Sequence, residues 1–492
     1  MIPRLSRRPG FASVLATALA LTAVQVPAAR AAEEIAVPPG GPGSVALTIH
    51  SGGGAATVHE TRTADLPAGE SVLAFPDVPA GADAASVRLV PADDGGGLTV
   101  LERALAADVP NRRRLLELSV GEEIGVLIHD QGEGQPPRRA SATVLSVAED
   151  VILRMDGAIR VGLPGDLVVD ALPEGLRPTP TLLATVEAAA AGPRALSLGY
   201  LTGGLTWAAD YGLDLEADGE TAALSGWATL HNTSGRSFTD ARLTLAAGQV
   251  EVAENAGMGA LYEQAAMRGA AGAAIGAAML PPPVAEAQGG LHFYPIERPV
   301  TLAHRQTLQV ALVNAPDITV TPRSVVAAGN RAHFASPRLE NDTVNARRHL
   351  ILANTEEAGL GLPLPAGVVR VWQPGPDGLP RFLGADRVSH VAVGGEAELV
   401  LGADFDVTAE RRRTAFRRIG EDVTESEHTV VLRNGKPDRA VTVDVEAALP
   451  GDWTILSESA PHEKETAKRV VWSIEVPAGG ETTLTYAVRA RF

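Results

Sequence analysis

Short runs of alternating apolar and polar residues recur along the sequence and predict β-strands throughout. The most regular strands are predicted at Leu196–Tyr200, Trp207–Leu215, Ala223–Asn232 and Ala241–Leu245. Gly, Asp, Asn or Ser bounds each run, and Asp218-Gly219 favours a tight hairpin because glycine tolerates positive φ. We therefore predict a β-meander in this stretch. The sequence contains no convincing amphipathic helix and no repeat of fixed period.

The last hundred residues show the clearest period of two. Val441, Val443 and Val445 alternate with polar residues, and the runs at 470–476 and 484–492 do the same. One buried face and one solvated face is typical of strands in an antiparallel sandwich. The predicted fold class is all-β, with antiparallel β-sandwich domains.

The middle of the chain is patterned differently. Shorter, closer strands between residues 111 and 178 predict an inserted small β-barrel, while the run 98–108 fits a strand or a short helix. Residues 253–290 are mostly Ala and Gly and are predicted to be a mobile loop, since they bury too little apolar area to offset ordering entropy. The predicted domains are an N-terminal β-strand domain at 32–110, the barrel-like insertion at 111–178, a central sandwich with the loop at 179–330, and a C-terminal sandwich at 331–492.

Residues 1–31 have the pattern of an export signal peptide. Arginines at the start precede the apolar run Phe11–Val26, and Ala29 and Ala31 are the small residues expected at a cleavage site. The run is too short and too rich in Ala and Thr to be a good membrane span. We expect a periplasmic or secreted protein with no transmembrane segment after signal removal, and favour the general secretory route over the twin-arginine route.

Composition excludes several classes of function. The net charge of −17 argues against nucleic acid as a partner, because phosphate binding needs a clustered positive field. The absence of cysteine excludes disulfides, thiolate zinc sites, cysteine nucleophiles and a lipoprotein anchor. The sequence has no phosphate loop, dinucleotide fingerprint, nucleophile elbow or His-Glu-x-x-His motif. We predict no cofactor, no metal site and no catalytic residue, although triads and carboxylate pairs can assemble from distant segments.

Trp207, Asp210 and Tyr211 are the strongest candidates for a binding site. On a strand, the two aromatic side chains point to one face and Asp210 points to the other. The favoured interpretation is that Trp207 and Tyr211 are core residues, and the alternative is a ligand-binding role.

Two acidic clusters are candidates for metal sites. The run Asp214–Gly219 resembles the start of a calcium loop, but Ser225 occupies the position of the closing acid, so a hairpin turn is predicted instead. Asp404, Asp406 and Glu410 could place carboxylates on one strand face, although such spacing is common on solvated faces.

One dense basic cluster stands out in this acidic chain. The favoured interpretation is a solvated edge strand whose charges discourage aggregation, and the alternative is a patch for an anionic ligand such as envelope polysaccharide or lipid headgroup. The cluster consists of Arg411, Arg412, Arg413, Arg417 and Arg418.

Several blocks of sequence resemble one known family. They are the run 200–211 (Tyr-Leu-Thr-Gly-Gly-Leu-Thr-Trp-Ala-Ala-Asp-Tyr), the turn 232–235, the runs 362–372 and 382–387, and the tail segments 432–436 and 451–453. In their order and spacing they are similar to the bacterial domain-of-unknown-function family four-one-three-nine, whose relatives include mucoidy inhibitor A-like proteins. The resemblance implies an exported β-rich protein of unassigned function and supplies no catalytic residues. The mucoidy-inhibitor branch has long coiled-coil helices where this chain has its barrel-like segment.

These observations lead to one expected function and one alternative. We expect an exported, non-catalytic, envelope-associated binding or structural protein, whose partner is an unknown envelope protein or polysaccharide. The alternative is a hydrolase acting on cell-envelope polymers, with acids drawn from separate strands.

Overall fold

The computed structural model confirms an all-β protein. It describes residues 34–52, 55–93, 96–129, 137–173, 175–248, 283, 285–329, 341–449 and 451–491. The predicted signal peptide lies outside these ranges, as does most of the predicted 253–290 loop. One short α-helix occurs in the described residues, α1 at Arg112–Leu118. The sequence pattern did not predict α1; it begins after Asn111, whose side chain accepts a hydrogen bond from the Arg114 amide and caps the helix.

Strands account for most of the described chain. In order they are β1 Glu34–Ala36, β2 Val45–His50, β3 Ala56–Leu66, β4 Gly69–Pro76, β5 Arg88–Pro91, β6 Leu98–Ala106, β7 Glu123–Ile128, β8 Arg138–Ser146, β9 Ile152–Met155, β10 Ala158–Val161, β11 Asp166–Val168, β12 Thr181–Ala188, β13 Gly192–Thr202, β14 Leu205–Leu215, β15 Thr221–Asn232, β16 Phe238–Ala247, β17 Glu286–Gln288, β18 Leu291–Leu302, β19 Thr307–Gly329, β20 Asn341–Ala353, β21 Gly367–Pro374, β22 Pro380–Val388, β23 Glu396–Arg418, β24 Val423–Asn434, β25 Val441–Ala448, β26 Asp452–Glu458, β27 Glu463–Lys464, β28 Arg469–Val476 and β29 Glu481–Arg491.

Strands from distant parts of the chain alternate within one sheet. The seven-stranded sheet has the order β17-β18-β16-β2-β3-β13-β5, and a four-stranded sheet has the order β1-β4-β12-β6. The predicted segments 32–110 and 179–330 therefore both contribute strands to the seven-stranded sheet. Buried residues of both sheets and of β14, β15 and β19 form a single apolar cluster.

The predicted meander is wrong in its pairing. Of the four strands predicted to form the meander, only β14 and β15 pair with each other as a hairpin. Its turn is at Asp218-Gly219, as expected, and Gly219 has φ 75°. By contrast, β13 pairs with β3 and β5, and β16 pairs with β18 and β2. The chain changes sheets at Gly203-Gly204 and again after Asn232. Apolar alternation does not reveal such a crossing, because a strand buries one face in either sheet.

Residues 123–168 form a separate small sheet. It is antiparallel, in the order β10-β9-β8-β7-β11, and its two end strands share no ladder among the described residues. Its own core contains Leu116 from α1 together with Val126, Val144 and Leu153. This sheet is the observed counterpart of the barrel-like segment.

Long strands connect two sandwich cores. β19 and β23 are each 23 residues long and lie in a 13-stranded sheet. In β23, Leu399 packs in the first core and Val407 packs in the second, which also contains Trp472 and Tyr486. One continuous strand therefore supports both cores.

A buried asparagine lies at the end of each of three strands. Asn232, Asn354 and Asn434 are buried at the ends of β15, β20 and β24. Each side-chain nitrogen donates to two or three backbone carbonyls, and each Oδ1 accepts backbone N–H groups. Since buried backbone groups need partners, these side chains satisfy the corners where the chain leaves the sheet.

Candidate functional site

Trp207 and Tyr211 are core residues, as the alternation of β14 predicted. Both are at most 4% exposed. The Tyr211 ring lies between two glycines, because an added Cβ at Gly226 would come within 3.0 Å of the ring and one at Gly367 within 2.9 Å. The same Cβ atoms would clash with the Ala209 carbonyl oxygen at Gly367 and would lie 2.8 Å from Val313 Cβ at Gly226. The ring and these neighbours together leave no room for a side chain at either glycine.

Two buried tyrosine hydroxyls hold the proline-rich segment before β21. Tyr211 Oη donates to the Pro365 carbonyl at 2.8 Å, and Tyr294 Oη donates to the Pro363 carbonyl at 3.1 Å. Burial raises the pKa of both hydroxyls, so they stay protonated and act as donors. The run 362–372 is thus held by one tyrosine of β14 and one of β18.

Asp210 lies on the opposite face of β14 and belongs to a polar row that crosses four strands. Its Oδ1 accepts from Arg370 Nη1 on β21 at 3.0 Å, and its Oδ2 accepts from Thr229 Oγ1 on β15 at 2.8 Å. Gln309 Nε2 on β19 donates to Thr229 Oγ1 at 3.0 Å. These groups are partly or fully exposed, so the row is accessible from solvent.

Aromatic side chains share this exposed face. Trp227 on β15 is directly opposite Asp210, and Trp372 on β21 is beside Asp214. Both tryptophans are half-buried. Phe382 on β22 is 54% exposed, and its ring centroid lies 5.0 Å from that of Trp372. We call this surface the outer face, defined by Asp210, Gly212, Asp214, Ser225, Trp227, Thr229, Gln309, Arg370, Trp372 and Phe382.

The outer face has the chemistry of a binding surface. Partly exposed aromatic rings offer apolar platforms with amphipathic character. The carboxylate, guanidinium, amide and hydroxyl groups between them donate and accept hydrogen bonds. Both oxygens of Asp210 already accept hydrogen bonds from side chains of the protein, Arg370 and Thr229. The arrangement favours recognition over acid–base chemistry.

The sequence contained an unused signal for this face. In β15 the buried positions are those of Ala222, Leu224, Gly226 and their successors. Trp227 falls on the polar positions, with Ser225 and Thr229. A large aromatic residue in the polar register is unusual, since such rings normally pack inside.

The structure separates the members of the arginine cluster. Arg413 is 3% exposed, and its guanidinium lies 5.2 Å from the centre of the Phe416 ring. Arg411 forms an ion pair with Asp342, and Arg412 with Glu410. Carboxylates of the protein itself therefore neutralise both Arg411 and Arg412.

Two further members lie at the exposed end of β23. Arg417 lies 3.9 Å from Glu425, and Arg418 is exposed. The five arginines thus do not share one exposed face.

The acidic cluster near Asp404 is likewise occupied by the protein. Lys436 Nζ donates to Asp404 Oδ2 at 2.6 Å, and the Asp406 amide donates to Oδ1 at 3.0 Å. Burial works to raise the pKa of Asp404, and these hydrogen bonds outweigh it, so the pKa lies below its ordinary value. Glu410 binds Arg412 and Arg433. Within the described residues, no group of three or more acidic or histidine side chains is arranged to hold a metal.

A buried ion cluster joins the N-terminal strands to the turn after β15. Glu60 accepts from Arg236 through both carboxylate oxygens, at 2.9 and 3.1 Å, and from Tyr200 at 2.9 Å. Arg62 lies 3.0 Å from Glu60 and donates to the carbonyls of Val37 and Pro76. The sequence signal was available, since Glu60 and Arg62 occupy the inward positions of β3 between Val58 and Ala64.

No helix in the described part of the chain has the length and apolar character that crossing a bilayer requires.

The sequence profile of one family matches the larger part of the chain. That family is described as a domain of unknown function, DUF4139, and the match covers residues 196–492. The matched region contains every residue of the outer face. It also contains Tyr200 and Arg236, whereas Glu60 and Arg62 lie before it. No curated protein is similar enough in sequence to match the chain. Because the match covers more than half of its length, the chain belongs to the DUF4139 family.

Proposed function

We propose that this protein is an exported, non-catalytic binding protein of the cell envelope, and that the outer face is its binding surface. The observation that carries the proposal is the half-exposure of Trp227 and Trp372 on a face that also carries the Asp210–Arg370 ion pair. Partly exposed aromatic residues among polar groups mark surfaces that bind partners. The partner is an envelope protein or polysaccharide.

Export is supported by the sequence alone. Residues 1–31 combine a basic start, an apolar run and a small-residue cleavage motif. The expected location is the periplasm or the cell exterior. Cell fractionation with antibody detection of the mature chain tests this part separately.

A hydrolase acting on envelope polymers is the alternative. Such an enzyme would need two carboxyl groups at short separation, one with a raised pKa. Both oxygens of Asp210 instead accept hydrogen bonds from this chain's own Arg370 and Thr229, and no second carboxylate contacts it in the outer face. Binding is therefore the better supported of the two functions.

The arginine patch remains a separate hypothesis for an anionic ligand. It has less support than the outer face, because Arg411 and Arg412 bind carboxylates of this chain and Arg413 is buried. Arg417 and Arg418 are the members that an anion would reach. Replacing both with glutamine tests the hypothesis through retention on vesicles containing phosphatidylglycerol.

Affinity capture from isolated cell envelopes tests the binding function. Immobilised mature protein should retain an envelope component, and Trp227→Ala with Trp372→Ala should abolish the retention. Ile159→Ala is the control, because Ile159 is 66% exposed but lies on β10, in a five-stranded sheet that contains no strand of the outer face. Retention that is equal for all three proteins would refute the assignment of the outer face. Release of soluble fragments from the envelopes by the purified protein would favour the hydrolase.

A further inference from the structure

Two tryptophans of the outer face lie diagonally on either side of Gly212. Trp227 is opposite Asp210 on β15, and Trp372 is beside Asp214 on β21. Gly212 is midway between these acids on β14. Strand spacing and rise place the two tryptophan Cα atoms about 16 Å apart, a span of about three to four pyranose rings.

Gly212 has no side chain, so the surface of the sheet between the two rings is open. Its neighbours across the ladders are Ser225 and Arg370. A Cβ added at Gly212 would lie 3.0 Å from Ser225 Oγ. A branched side chain here would occupy the space through which an extended ligand would pass from one tryptophan to the other. Glycine in a strand interior often marks such a close approach.

Hydrogen-bonding groups surround Gly212. Arg370 and Asp210 form an ion pair at 3.0 Å and keep further donor and acceptor capacity toward solvent. Ser225 Oγ makes only a long bond, 3.4 Å, to the Gly212 carbonyl. Hydroxyl groups of a ligand can therefore both donate and accept at this surface.

We propose that the outer face binds a linear, uncharged polysaccharide lying obliquely across β15, β14 and β21; this inference rests on the proposed function. Sugar rings present apolar C–H faces that stack on aromatic side chains, and hydroxyl edges that bind Asp210, Ser225 and Arg370. This alternation of apolar and polar groups matches the outer face position by position.

Other ligand classes fit this face less well. β14 and β15 are interior strands, paired on both sides, so a peptide cannot add a strand there. A lipid surface needs a continuous apolar patch, and here charged residues separate the rings. An anionic polymer that followed this path would meet the carboxylates of Asp210 and Asp214, and the guanidinium of Arg370 on the path already binds Asp210. An uncharged glycan avoids this repulsion.

A glycan array tests the ligand class. The probes are neutral and uronate-containing oligosaccharides, from disaccharides to octasaccharides, with the full-length mature protein as analyte. We expect retention on neutral chains, with affinity rising with length until the chain spans both tryptophans. A preference for uronate chains, or no retention on any neutral chain, overturns the proposal.

Variants locate the binding site on the protein. Trp227→Ala and Trp372→Ala should each weaken the affinity about tenfold. Gly212→Val should weaken binding while leaving both rings in place, and Ile159→Ala should leave binding unchanged. Circular dichroism checks that each variant is folded, and intrinsic fluorescence follows titration with the longest retained oligosaccharide. Affinity that is unchanged in Gly212→Val overturns the oblique path. Envelope capture that needs both tryptophans, combined with an array negative for neutral glycans, rejects the polysaccharide and leaves the proposed function standing.

Discussion

Replacing Glu60 with glutamine should strongly destabilise the first core. Glu60 is fully buried, and it is the buried carboxylate that bridges Arg62 and Arg236. Without its charge, two guanidinium groups would remain buried with only Asp77, which is half-exposed and 3.5 Å from Arg236, to compensate them. Breaking a buried ion pair by removing one partner costs about 3–5 kcal/mol of the free energy of unfolding.

The effect should depend on pH. Burial works to raise the Glu60 pKa, but the hydrogen bonds and charge of Arg236, together with Arg62, outweigh it and hold the pKa below its ordinary value. A carboxyl group with a lowered folded-state pKa contributes stability above its unfolded pKa of about 4.3. That contribution is lost as pH falls through the folded pKa. The difference between wild type and Glu60→Gln should therefore be largest near neutral pH and vanish in acid.

Urea unfolding at several pH values measures this difference. Hydrogen–deuterium exchange of peptides from β3 and β13 shows whether the loss is local to the cluster. Glu70→Gln is the matched control, since Glu70 is exposed on β4 and its replacement should change stability little. A loss below about 1 kcal/mol at neutral pH would show that the cluster is solvated, and would refute a buried charge at Glu60. A loss that does not decrease in acid would show that packing, and not charge, is responsible.

Four further changes test the packing of the family region. Trp207→Ala should cost about 3–5 kcal/mol, whereas Trp227→Ala should cost far less because that ring is half-exposed; thermal unfolding compares them. Tyr211→Phe should cost about 1–3 kcal/mol by leaving a buried carbonyl without its donor, measured by urea unfolding. Asn354→Ala should cost at least ~2 kcal/mol, because several backbone groups lose their partner; local hydrogen exchange should rise at the corner. The isolated segment 196–492 should lack cooperative unfolding, since its strands pair with strands before residue 196, and calorimetry checks this.

Strand alternation predicted which side chains are buried more accurately than it predicted which strands are neighbours. Trp207 and Tyr211 are inside and Asp210 is outside, as the period of two requires. The meander prediction failed because β13 and β16 belong to a different sheet from β14 and β15. A local pattern specifies a face, but it does not identify the partner strand, which depends on contacts between distant residues.

For the candidate sites too, the sequence showed the residues but not their partners on neighbouring strands. The arginine cluster was visible as a run of charges, but its pairing with Asp342 and Glu410 depends on neighbouring strands and could not be read from the sequence. The outer face contains Trp227 and Trp372, which are far apart in sequence. They lie on one face of the sheet because β14 pairs with both β15 and β21. The polar register of β15 marks Trp227 as unusual, but it does not show that Trp372 lies on the same face.

The family match begins inside a sheet, and this constrains how the protein folds. Residue 196 lies within β13, whose ladder partner β3 precedes the match. Arg236 from the matched region is neutralised by Glu60 from outside it, so the matched region alone cannot bury Arg236 without an uncompensated charge. The N-terminal strands therefore complete the core on which β14 and β15 are held, and the outer face is displayed on the opposite side of those strands. Any function of the outer face thus depends on residues that the family match does not include.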